Sequence, residues 1–261
     1  METRCEWMLA AQGLFRLGAT LATLYATLGD EGIVHVINEI EATHIITSSD
    51  LIPKLAKLKS KIPKLSKIVY VDIGVDKKSS PSAPEGTELV DFDDLESEGA
   101  RRTDLVGEPA KADDIALIMY TSGSTGAPKG VMAWHKNFIA AIKSLNTILS
   151  QIEEDIQEND CYIGYLPLAH NLEFTTEHLL LSMGIPVGYS SPFTLTDKSP
   201  AVAAGCAGDA QILKPGAIVG VPMILDRIRK GIGEQISQRG KFFQKLFKVS
   251  LRDTNGSFKI K

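Results

Sequence analysis

The 261-residue chain is 44% hydrophobic, 23% charged and 7% aromatic, with a formal net charge of −4. It can bury the core of one large domain or two small ones, and it lacks the basic bias of a nucleic-acid binder. Its three cysteines, Cys5, Cys161 and Cys206, lie far apart with no C-x-x-C, which fits a reducing compartment and excludes a disulfide scaffold or a cysteine-built zinc site.

In chain order, Trp7, Ala11, Leu14 and Gly18 mark one face of an opening helix. Gln12 and Arg16 interrupt its apolar run, and the acidic leader has the wrong sign for a signal peptide, so no membrane span or secretion signal is expected. "LATLYATLG" reads as a strand ending at Gly29, Asp30 as the cap of a helix, and "THIITSS" as the next strand. The lysine-rich stretch from Lys54 to Lys67 reads as a solvated helix face and loop, with Asp50 as its cap and register breaks at Pro53 and Pro63; a membrane-surface patch is the other reading. "KIVYVDIG" is a strand.

Residues 77–111 are rich in Pro, Gly, Ser and charge and read as a surface excursion, in which Asp91, Asp93 and Asp94 are solvated loop acids. The α/β rhythm then resumes. "IALIMYTS" is a buried strand, a helix runs from His135 to about Ser150, "CYIGYLPL" is a strand, and a helix follows from about Asn171 to Met183. "IPVGYSS" and "ILKPGAIVGVP" read as strands, and Pro222 opens a last helix, in which Asp226 and Arg227 form an ion pair or sheet-edge contact. Such alternation implies an α/β fold with mostly parallel sheet covered by helices.

Between the buried strand and the following helix lies "YTSGSTGAPKG", Tyr120 to Gly130. It is not a Walker A loop, because Lys129 precedes a glycine instead of following one, and it lacks the G-x-G-x-x-G of a dinucleotide turn. Gly123 and Gly126 let successive N–H groups face one concavity, Thr121, Ser122, Ser124 and Thr125 add hydroxyl donors, and Lys129 adds a mobile positive charge. That chemistry suits a polyphosphate.

"IMYTSGSTGAPKG" resembles the phosphate-loop signature of the adenylate-forming (AMP-binding) enzymes: acyl-CoA synthetases, luciferases and peptide-synthetase adenylation domains. "YIGYLPLAH", "GYSSPFTLTDKS" and "LKPGAIVGVPMILDRI" look like eukaryotic long-chain fatty acid–CoA ligases, the arachidonate-preferring type in particular. The resemblance implies attack of a fatty carboxylate on the α-phosphate of ATP, release of pyrophosphate, and displacement of AMP by the thiol of coenzyme A. It implies that Thr121, Ser122, Gly123, Ser124, Thr125, Gly126 and Lys129 bind the ATP phosphates, with Mg²⁺ as cofactor. It further implies an intracellular enzyme family on the endoplasmic reticulum and other membranes facing the cytosol.

A second constellation is "PLAHNLEFTTEH", where His170, Glu173 and Glu177 fall near one helical face. A metal site, an ordinary acidic helix start, and, by the resemblance, an acyl or adenylate pocket touched by His170 and Glu173 all fit. His135 is expected to be structural. Trp134 receives no role.

The later signatures of such ligases are missing: the Gly-Tyr-Gly turn with its Mg²⁺-assisting Thr-Glu, the ribose aspartate, the hinge and the catalytic lysine. Residues 1–248 are therefore expected to form part of an incomplete N-terminal domain, with 249–261 a divergent tail, the C-terminal domain absent and the chain inactive alone. The alternatives are a non-catalytic ATP- or partner-binding short form, or an unrelated NTPase, for which Asp72 is the nearest Mg²⁺-binding candidate and is wrongly spaced.

Overall fold

A computed structural model describes residues 1–72, 81–102, 104, 107–121, 127–150 and 160–240, apart from the side chains of Arg227 and Gln235. The chain divides into two units, Met1–Ile218 and Val219–Lys261. In the first, helix α1 (Cys5–Arg16) leads to β1 (Leu21–Thr23), α2 (Asp30–Glu39), β2 (His44–Ser48), α3 (Ile52–Leu58), β3 (Lys67–Val71), β4 (Glu88–Asp91) and α4 (Phe92–Arg101). Then come β5 (Ile115–Thr121), β6 (Lys129–Trp134), α5 (His135–Leu149), β7 (Tyr162–Gly164), α6 (Asn171–Ser182), β8 (Val187–Tyr189) and α7 (Asp209–Leu213). The second unit holds α8 (Pro222–Ser237), with Pro222 in its first turn as expected and an Asp226–Arg229 ion pair at 3.4 Å on its surface.

Among the described residues three sheets form, in the orders β1-β5-β6, β2-β3-β4 and β7-β8. Every pair is parallel except β5–β6. In the second sheet, β3 shows why a continuous apolar run is needed. Ile68 and Tyr70 join one cluster with Ile33 and Ile37 of α2 and Leu55 of α3. Val69 and Val71, on the other face, pack with Phe92 of α4 and Ala10 of α1. The two-residue period of a strand sends alternate side chains to helices on opposite sides, which is the α/β layering the sequence implied.

The structure departs from expectation at particular residues. Gly18 is the stop of α1 and no part of its face: at φ +65° it adopts the left-handed backbone glycine tolerates, while Ala19 N–H reaches Leu14 O and Gly18 N–H reaches Phe15 O. That pair of bonds is a Schellman ending. The strand expected through Gly29 ends at Thr23, and Gly29, ahead of Asp30, is the cap of α2. Pro53 sits in the first turn of α3, where its missing N–H costs nothing, so it breaks no register. The lysines of this segment serve the fold: Lys54 Nζ donates to Leu28 O at 2.6 Å, Lys59 Nζ to Leu65 O at 2.8 Å, and Lys64 pairs with Glu41 at 2.5 Å.

The excursion at 77–111 contains β4 and α4. Asp91 caps α4 by accepting from Asp93 N–H at 2.9 Å, and Asp93 and Asp94 fill its acidic first turn. "ILKPGAIVGVP" is no strand: it begins in α7, turns at Lys214 (φ 51°) and Pro215, and touches β7 only through an isolated Tyr162–Ala217 bridge. The last correction concerns the glycine-rich loop, which leads into the antiparallel strand β6 before α5 begins.

Candidate functional site

β5 is the central strand of its sheet and carries Ala116, Leu117 and Tyr120 into the core. Tyr120 OH donates to Glu39 Oε2 at 2.5 Å, which ties β5 to α2, and burial then pushes the phenol well above its usual range. At the strand's carboxyl end, Thr121 pairs with Lys129 across the antiparallel ladder, and Thr121 Oγ1 reaches Lys129 O at 3.5 Å. Both residues are exposed. Ser122, Gly123, Ser124, Thr125 and Gly126, named from sequence for phosphate binding, lie outside the described residues.

The second constellation meets this end of the sheet. Thr23, the last residue of β1, is the register partner of Met119, two residues before Thr121. Its buried hydroxyl donates to Ala169 O at 3.2 Å, next to His170. The carboxyl ends of the parallel pair β1 and β5 and the turn bearing His170 are thus brought together, where open α/β sheets accept ligands. Sequence reasoning passed over Thr23, and the only signal for it was a hydroxyl at the end of a short apolar strand.

His170 is the exposed N-cap of α6, its Nδ1 accepting from Leu172 N–H at 3.2 Å. Glu173 is fully buried, as is Glu177 one turn later. Tyr162 OH donates to Glu173 Oε2 at 2.8 Å, and Tyr189 OH to Glu177 Oε2 at 2.9 Å. Burial raises both carboxyls above their ordinary range, and it raises both phenols as well. Among the described residues no three His, Cys, Asp or Glu side chains group so as to hold a metal ion. The Oε2 atoms of both carboxyls are taken by tyrosine hydroxyls, and the Mg²⁺ that the resemblance implies is tied to the Thr-Glu of a later signature and not to this pair.

Behind them a ring cluster fixes α6 against α1 and α5. Phe174 stacks on Phe138 with centroids 5.0 Å apart and meets Trp7 edge-on at 5.4 Å. His178 donates from Nδ1 to Phe174 O at 2.7 Å, leaving Nε2 to accept from the Gln12 amide at 2.6 Å. Burial holds this imidazole neutral and lowers it to about 4. His135, expected to be structural, opens α5 and packs edge-on against Phe15 at 5.1 Å, while Trp134 lies under Lys136 Nζ at 4.2 Å.

A cleft of ≈ 540 Å³ runs beside β1, lined by Trp7, Leu14, Thr23, Ile33, Ile37 and Ile118 among others. Neither His170 nor Glu173 lines it. Among the described residues no helix is long and apolar enough to cross a membrane.

Comparison with known proteins gives concordant matches. Residues 1–253 match the AMP-binding enzyme family. Long-chain-fatty-acid–CoA ligase 2 of Schizosaccharomyces pombe is 40% identical over 259 residues, covering 95% of this chain and 35% of that protein. Long chain acyl-CoA synthetase 8 of Arabidopsis thaliana is 37% identical over 248 residues, covering 94% of this chain and 34% of the relative. The chain thus spans about a third of the length of the curated relatives it matches. Among solved structures, the adenylation domain of a carboxylate reductase from Mycobacterium chelonae superposes on 100% of this chain and 41% of its own, with TM-score 0.74 at 17% identity. At that identity the likeness speaks for the fold alone.

Proposed function

This chain belongs to the AMP-binding enzyme family, and from that premise we propose that it supplies the ATP-phosphate site of a long-chain fatty acid–CoA ligase. In this reading a fatty carboxylate oxygen attacks the α-phosphorus of ATP and expels pyrophosphate. The thiol of coenzyme A, giving up its proton, then attacks the acyl carbon and expels AMP. The nucleophiles belong to the substrates, so the chain's own work is to hold two anions in line and to offset charge on the departing pyrophosphate.

The observation that carries the reading is the pairing of Thr121 with Lys129 at the carboxyl end of β5. It brings Thr121 and Lys129 side by side at the two ends of the intervening segment, in which the N–H and O–H groups of Ser122, Gly123, Ser124, Thr125 and Gly126 would cradle the β- and γ-phosphates. His170, beside the end of β1 through the Thr23–Ala169 bond, would position the acyl or adenylate group. Glu173, closed off by Tyr162, would act through the seating of α6 and not by touching substrate. The long-chain acyl preference rests on the names of the relatives at 37% and 40% identity.

Calorimetric titration of the chain with ATP tests the phosphate site. Lys129→Ala should weaken binding roughly tenfold to a hundredfold, the worth of a charge-assisted hydrogen bond; unchanged affinity would remove Lys129 from the site. For the substrate, residues 1–253 should be exchanged for the matched stretch of the Schizosaccharomyces pombe ligase. The hybrid should form palmitoyl-CoA from palmitate, ATP and coenzyme A. A folded hybrid that binds ATP yet makes no thioester would overturn the ligase reading while sparing the phosphate site.

A further inference from the structure

Glu173 and Glu177 stand one turn apart on α6, and both are 0% exposed. Each gives its Oε2 to a tyrosine hydroxyl, and each Oε1 has no hydrogen-bond partner among the described residues. The two Oε1 atoms crowd a single point: a Cβ built on Gly164 of β7 would stand 3.3 Å from that of Glu173 and 2.9 Å from that of Glu177. Two ionised carboxylates so placed would cost several kcal/mol each in lost hydration.

Among the described residues no cation pairs with either carboxyl. From β7 and the turn after it, Tyr162 and the backbone N–H of Tyr165 face Glu173; from β8, Tyr189 faces Glu177; within α6 each carboxyl faces the other. The Tyr165 hydroxyl, itself buried without a partner, lies in the field of Glu173, and Cys5 of α1 lies in the field of Glu177. His178 is engaged on the other side of the helix, by Phe174 O and Gln12.

We propose that Glu173 and Glu177 share one proton between their Oε1 atoms, and that this proton is a pH-sensitive clasp seating α6 on β7 and β8. One O–H donating to the neighbouring carboxylate satisfies both orphan oxygens and halves the buried charge. The clasp follows from the fold and does not depend on the ligase reading. Desolvation, the largest cause for both groups, raises them well above the ordinary 4.5. A proton held by the native chain but already released by the unfolded one makes stability greatest below that ordinary value. Stability is then lost as pH rises through the neutral region. The helix so loosened begins at His170.

Infrared titration of the full chain in heavy water tests the clasp. A protonated-carboxyl stretch should persist to near-neutral pH, vanish with further alkali, and be absent in Glu177→Gln. In urea unfolding, the folding constant of the unaltered chain should fall by up to about tenfold per pH unit between about pH 6.5 and about pH 8, above the range in which His178 titrates. Glu177→Gln, whose amide can donate permanently to Glu173, should lose that slope. A wild-type chain with no such stretch near neutrality overturns the proposal, as does a folded Glu177→Gln protein with the wild-type slope. If the variant does not fold, the wild-type spectrum decides alone.

Discussion

Truncation of Phe174 to alanine removes the ring on which the packing of α6 converges. Phe174 is fully buried, and the rings of Trp7, Phe15, Phe138 and His178 lie 5.4, 6.1, 5.0 and 4.3 Å from its own. Deleting a buried phenylalanine costs about 3–5 kcal/mol where the surroundings cannot collapse into the space. Each lost aromatic pair adds about 0.5–1.5 kcal/mol beyond area. The cluster joins α1, β5, α5 and α6, four elements that cannot all close on one gap, so the upper end of the range applies. With a urea dependence near 3 kcal/mol per molar, the unfolding midpoint should drop by roughly 1–2 M. Trp7, edge-on to the deleted ring, is the fluorescent reporter. The matched control is Phe193→Ala, whose ring is 54% exposed and whose loss should stay within about 0.5 kcal/mol. A loss at Phe174 below about 1 kcal/mol, or one equal to the control, would refute the claim that this ring anchors α6.

Two further outcomes follow from the same geometry. His178 is lowered from 6.5 to about 4 by burial, so the folded chain favours the neutral ring. Its contribution is present above 6.5 and is lost as pH falls toward 4, by up to about 1.4 kcal/mol per pH unit. In urea unfolding at several acid pH values this limb should appear in the stability difference between the wild type and His178→Gln, which keeps an amide but cannot titrate; a difference that does not change with pH would reassign it. Gly130→Ala should destabilise by about 1–3 kcal/mol through overpacking, because its Cβ would stand 2.9 Å from Ile118 Cγ2 and 3.1 Å from the ring of Tyr120. Tyr120 is held by Glu39 and cannot yield. A wild-type melting temperature for this variant would show that the β5–β6 hairpin has slack.

The parts that were legible are those where one local signal sufficed. β5 announced itself as an unbroken apolar run, and α5 and α8 through their periodicity and, for α8, Pro222. β4 was hidden because four residues between proline-, glycine- and charge-rich flanks carry too short an alternation to detect, and its pairing with β3 is set by residues some twenty positions away. β6 was hidden because Val131, Met132 and Trp134 are exposed, so the inside-outside alternation of a half-buried strand is not written in it. The carboxyl pair was the least legible feature. Acids in the first turns of a helix ordinarily face water, and their donors Tyr162 and Tyr189 come from strands on either side of α6 in sequence. No local signal marked it, because Glu173, Thr176 and Glu177 fall at helical spacing on one stripe and read as a solvated face.

The hairpin changes how the glycine-rich loop must be understood. Had a helix followed the loop directly, its N-terminal amides would have been the natural anion site, and Lys129 would have been a residue of the first turn. With β6 in between, Lys129 is fixed by its backbone pairing to Thr121, and the loop between them is closed at both ends by one ladder. In the proposed reading, ends pinned in this way would lose little freedom when an anion binds, so less of the binding energy would go into ordering them. The amino end of α5 is left to Trp134 and Asn137, whose Oδ1 accepts the Trp134 N–H at 3.2 Å, so in the proposed reading the phosphate charge would fall to the Thr121–Lys129 turn and not to a helix dipole.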